Sequence, residues 1–187
     1  MAIRVKTIWF KKADAPAPEK TATVISSMIW RLADAVVVNL SKADYDIITP
    51  QRGFKIIGEM IAFFVHVTDR MLYGRVQEAE RQALIQALAL RLSDIMVENI
   101  HSIVGDDGFD YRANFLDMLN RRTAEYAEFS FEPDKPNFVV LRYLGHCLLD
   151  IMEERDQPWF IDQIMELEAP QAIETLKKTV DGLFKQA

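Results

Sequence analysis

From Thr21 onward, apolar side chains recur at steps of three and four residues, the spacing that gathers them on one face of an α-helix. Ile25, Met28, Ile29, Leu32, Val36 and Leu40 define a first helix over about residues 21–43. Thr49 followed by Pro50 is an N-cap and first-turn pair, and Phe54, Ile57, Ile61, Phe64, Val65 and Leu72 carry a second helix to the region of Gly74. That helix is unusually apolar: between Ile56 and Val67 its ionisable residues are Glu59 and His66. A third helix is expected over about Arg75 to Val104, with Ile85, Leu88, Leu92, Ile95, Met96 and Ile103 inward, stopping at Gly105-Asp106-Asp107-Gly108. A fourth covers about Tyr111 to Phe129, ahead of Pro133 and Pro136, and a fifth about Asn137 to Glu154. Pro158 and Pro170 each suit a first helical turn, so the C-terminal part divides into helices near 158–167 and 170–185.

Short connections between long helices return the chain alongside itself, which predicts an all-α, up-and-down bundle of six or seven helices. Residues 3–10 break the pattern: they alternate at first, end in Ile8-Trp9-Phe10, and lead into a stretch that Pro16 and Pro18 hold extended. The expected division is an extended N-terminal arm and linker over 1–20 and one helical domain over 21–187. A length of 187 residues fits a single core, and a chain that is 50% hydrophobic and 27% charged has enough apolar surface to build it.

Charge sharpens the division. Lys and Arg number 22 against 28 Asp and Glu, for a net charge of -6. Residues 1–20 hold five basic side chains and two acidic ones, a balance of +3, which leaves -9 on the remainder. An acidic body repels a phosphate backbone, so nucleic acid is not expected as a partner. Met1 to Phe10 lacks the apolar run of a signal peptide and no stretch reads as a membrane span, so a cytoplasmic location is expected. Cys147 is the single cysteine, which excludes an intrachain disulfide and a multi-cysteine metal site. Its neighbour His146 points about 100° away on a helix, so the two form no thiolate–imidazolium pair. With Leu144, Leu148 and Ile151 around it, Cys147 reads as a small core hydrophobe.

All three histidines lie in narrow polar stripes: Lys55, Glu59, His66, Asp69 and Tyr73; Arg91, Asp94, Glu98 and His101; Arg142, His146 and Asp150. Turned outward, they are solvated faces carrying pairs such as Lys55 with Glu59 and Arg91 with Asp94. Turned inward, they supply a carboxylate–histidine site for iron, manganese or zinc. Glu98 and His101 have the Glu-x-x-His spacing of a di-iron bundle, but a second such motif is missing before His66 and His146. Measured from a turn near residue 75, Glu59 and Glu98 differ in axial level by ~10 Å. Glu98, Asp117 and Asp150 match better in level, which makes Glu98, His101, Asp117, His146 and Asp150 the candidate ligands. The segment from Gly105 to Asp110 carries three aspartates without the alternation of a calcium loop, and reads as a helix-ending turn.

Eleven Phe, eight Met and three Trp exceed what the inner faces of one bundle readily absorb. Trp9 and Phe10 in the arm, and Trp159 and Phe160 beside Pro158, are the candidate interface anchors. No complete catalytic constellation accompanies them and no resident cofactor is expected. The functional expectation is a non-enzymatic bundle acting through protein–protein association as a homodimer or other homo-oligomer. The alternative is a metal-binding protein or oxidoreductase built on the five ligands above, and a further expectation is a cavity for a small apolar ligand lined by Phe and Met residues of the second and fifth helices.

Overall fold

The computed structural model describes residues 18–47, 49–130 and 137–184, and their regular structure is entirely helical. Helices α1 (Pro18–Lys42), α2 (Pro50–Leu72), α3 (Glu78–Val104), α4 (Tyr111–Ala127) and α5 (Phe138–Leu149) are followed by a short α6 (Phe160–Asp162), a π-helical segment (Gln163–Glu168) and α7 (Ala169–Phe184). The all-α bundle expected from the spacing is the observed fold. Trp9 and Phe10 lie outside the described residues.

Local chemistry sets the helix ends. The Thr49 hydroxyl accepts from Arg52 N ahead of Pro50, the Asp110 carboxylate accepts from Ala113 N at 2.9 Å, and the Asn137 amide oxygen accepts from Val139 N at 2.9 Å. Each satisfies one of the donors a helix start leaves open. Gly105 closes α3 at φ 92°, a left-handed conformation that costs glycine little.

α1 packs on α2 and α3, and α4 packs on the same two helices. A ring in the order α1, α2, α4, α3 accounts for these contacts, with α2 and α3 also meeting across the middle. α7 lies against α1 and α2, and α5 reaches α2 from another side, so α2 touches five helices. Every residue from Ile56 to Thr68 is buried as a result, which explains why this helix has no continuous polar face. α1 is long and apolar enough to cross a membrane by length and composition; in this fold Ile25, Ile29, Ala33, Val36 and Leu40 are fully packed within the core.

Three helix limits and the inward face of α3 differ from the sequence expectation. α1 already includes Pro18–Lys20, which the sequence expectation places in the linker. The inward face of α3 runs through Leu84, Leu88, Leu92, Met96 and Ile100, while Ile103 is 61% exposed and Ile85 and Ile95 are half-buried. α5 stops at Leu149, with turns over the following residues. The two C-terminal helices are one rod: Ala169 N donates to Ile164 O, a five-residue span, and this widened turn carries the chain through Pro170 without a break.

Candidate functional site

The five candidate metal ligands face solvent. Glu98, His101, Asp117, His146 and Asp150 are all exposed, and among the described residues no three His, Cys, Asp or Glu side chains come together to hold a metal ion. The stripes on α3 and α5 turn outward because the opposite faces, Leu88, Leu92 and Met96 on α3 and Val140, Leu144 and Leu148 on α5, fill the core. The stripe on α2 has no outward direction to take over its central turns, and it holds the polar centre of the molecule.

Glu59 is 8% exposed in the middle of α2. Its carboxylate is clasped by the Arg122 guanidinium from α4, with Nε donating to Oε2 at 2.6 Å and Nη2 to Oε1 at 2.9 Å. Such a bidentate fork is the geometry by which arginine holds a carboxylate out of water. The remaining nitrogen, Nη1, donates to Glu125 Oε2 at 2.8 Å and to the Tyr143 hydroxyl at 3.3 Å, and Tyr143 in turn donates to Glu125 at 2.7 Å. Lys55 therefore does not pair with Glu59, and Asp94 pairs with Arg112 rather than Arg91.

The groups around this clasp hold their protons. Burial pushes the Tyr143 hydroxyl well above the usual phenol range, and its hydrogen bond to Glu125 adds to the effect. Burial likewise pushes the Cys147 thiol up to about 11, against a smaller opposing pull from Arg122. At neutral pH neither is ionised, so neither is an activated nucleophile. The buried Tyr126 ring stacks on His66 at 5.3 Å and meets Tyr143 edge-on, and among the described residues its hydroxyl finds no hydrogen-bond partner. Burial, reinforced by the nearby Arg70 charge, depresses His66 to about 4 despite the opposing influence of Asp69.

One turn before Glu59, the bundle opens. A pocket of about 320 Å³ lies where α2 begins, α3 ends and α4 begins, with Phe54, Met96, Ile100, Phe115 and Met118 among its walls and Ile151, just past α5, at its side. Gly58 helps to form it: a Cβ there would come within 3.2 Å of the Met118 methyl group. The Phe and Met walls of the pocket come from α2, α3 and α4, whereas the sequence expectation assigns such a cavity to the second and fifth helices. Lys55, Gln51 and Asn114 bring polar groups to the pocket edge, and Val104 and Tyr111 also line it, with the exposed Phe109 ring 4.9 Å from that of Tyr111.

The Trp159 and Phe160 pair divides. Phe160 is fully buried and packs edge-to-face on Tyr45 at 5.3 Å, so it belongs to the core. Trp159 is 79% exposed, with a left-handed backbone at φ 69° that bulky residues rarely adopt. Its carbonyl accepts from Gln163 N at 2.9 Å and starts the C-terminal rod.

Sequence reasoning passed over Arg122, although a signal existed. Phe115, Leu119, Arg122 and Tyr126 follow one another at four, three and four residues, which places the arginine on the buried stripe of α4. A charge on that stripe implies an opposite charge facing it, and Glu59 is the carboxylate within the apolar run of α2. No protein-family model matches the chain, and neither the curated proteins nor the solved structures offer a significant match.

Proposed function

We propose that the protein is a non-enzymatic binding protein whose guest enters the pocket between α2, α3 and α4. The observation that carries this reading is a preformed opening of about 320 Å³ with apolar walls on three helices and a few polar groups at its edge. Small-molecule sites share that character, at volumes of roughly 300–1,000 Å³. The thioether side chains of Met96 and Met118 adapt readily to guests of different shape. The neighbouring Tyr143 and Cys147 hold their protons at neutral pH, which favours binding over nucleophilic chemistry. Titration of protein carrying ¹³C-labelled methionine methyl groups with 1-octanol tests the reading. Resonances of Met96 and Met118 are expected to shift while that of buried Met60 stays in place; unmoved Met96 and Met118 signals would sink it.

Trp159 favours a second reading, association between copies of the chain. An aromatic ring that is 79% exposed on a constrained backbone is the kind of rigid anchor that concentrates binding energy at an interface. Light scattering on the wild type and on Trp159→Ser decides: a dimer that the substitution converts to monomer supports the reading, and a monomeric wild type at micromolar concentration removes it.

A further inference from the structure

We infer that the guest is an amphiphile with a single anionic head, a medium-length chain or one ring bearing a carboxylate, held by Lys55 at the pocket edge. The inference rests on the pocket being a binding site, as proposed above, and adds the chemistry of what it takes.

Three observations carry it. First, the pocket's carboxylate is already neutralised. Both Glu59 oxygens are held by Arg122, so this side chain offers no free negative charge to a cationic guest. Secondly, the cation at the edge is unspent. Lys55 lies one turn before Glu59 on α2, close enough in sequence for an i,i+4 pair, yet among the described residues it makes no ion pair. Gln51 and Asn114 stand beside it on the lining, each with an amide N–H₂ able to donate to a carboxylate. Thirdly, the carboxylates of the α3–α4 turn stay off the lining and accept within their own segment: Asp106 from Gly108 N, Asp107 from the Tyr111 hydroxyl and Phe109 N, and Asp110 from Ala113 N. Of the two charged side chains on the lining, Glu59 is paired and Lys55 is not, so the charge left for a guest to meet there is that of Lys55, above walls that are apolar.

Volume limits the body of the guest. At ~30 Å³ for each water-sized group, 320 Å³ holds about ten such groups. One chain of about eight carbons or a substituted ring fits that space, whereas a two-chain lipid does not.

Calorimetric titration of the full chain with octanoate, 1-octanol and octylammonium, three guests with one tail and different heads, tests the inference. Octanoate is expected to bind about fivefold more tightly than 1-octanol, the scale of a partly exposed ion pair. Lys55→Gln is expected to erase that preference while leaving 1-octanol unchanged, and Lys55→Glu to shift it toward octylammonium. Gly58→Leu, which fills the pocket, is expected to weaken all three guests, and Met118→Phe serves the same purpose should the first variant not fold. Equal affinity for octanoate and 1-octanol, or a preference that survives Lys55→Gln, overturns the inference and leaves the pocket reading standing. Binding that survives both filling variants places the guests elsewhere and overturns the inference together with the pocket reading. No binding of any guest, with the methionine methyl signals unmoved, also overturns both.

Discussion

Arg122 occupies a position on α4 that its neighbours Phe115, Leu119 and Tyr126 mark as core, and its charge is tolerated there because Glu59 faces it. Removing one member of such a pair leaves the other buried and uncompensated, at a cost of about 3–5 kcal/mol. Arg122→Ala is therefore expected to lower stability by that amount in urea denaturation, whereas Glu59→Leu combined with Arg122→Met should cost far less. Near-equal losses in the two variants would show that the charges themselves are not what the site requires. His66 gives a second expectation at this scale. Its folded pKa of about 4 lies below the unfolded value near 6.5, so acidification protonates the unfolded chain first. The stabilisation is fully present above about pH 6.5 and is lost as pH falls toward 4, amounting to about 2 kcal/mol between pH 7 and pH 5. Urea midpoints at those two pH values should fall further in the wild type than in His66→Gln; parallel falls would refute the assignment.

Among the elements, the C-terminal rod shows how packing constrains sequence. Gly145 on α5 lies where a Cβ would stand 3.0 Å from Ile161 Cγ2, at the crossing of α5 with the start of the rod. Gly145→Val is expected to cost about 1–3 kcal/mol by overpacking, read from the thermal midpoint, and pairing it with Ile161→Ala should restore part of the loss. Helices α1, α2 and α4 were legible to within a few residues because each joins a clear period to a recognisable start or stop. α3 was legible in extent but not in rotation: with apolar residues at both 84–85 and 95–96, two neighbouring faces fit the period, and the contacts of α1 and α4 chose between them. The continuity through Pro170 was hidden, since proline is ordinarily read as a boundary and only the π turn before it makes room. The exposure of Glu98, His101 and His146 was also unreadable from periodicity, which identifies a stripe but not the side on which neighbours lie.

At the level of the whole molecule, α2 binds the parts together. Because α1, α3, α4, α5 and α7 all rest on it, no layer of the described fold can separate without exposing α2. The chain is expected to unfold in one step, with far-UV circular dichroism and tryptophan fluorescence giving coincident urea transitions. Trp30 lies on α1 and Trp159 at the head of the rod, so separate midpoints would reveal independent units. The pocket belongs to this scale as well. Single residues along α2, α3 and α4 announce apolar faces, but the gap between them exists only where the three helices come together around Gly58.

The complete enclosure of α2 also governs how freely its sequence can vary. On a helix with one wet side, tolerance of substitution rises and falls every 3.6 residues, and saturation mutagenesis of α3 should trace that wave. Along residues 56–68 the wave should vanish into a uniform floor, with polar replacements rejected at consecutive positions. The helix that holds the bundle together is thereby the one least able to drift, and the surface helices are left to carry most of the chain's capacity for change.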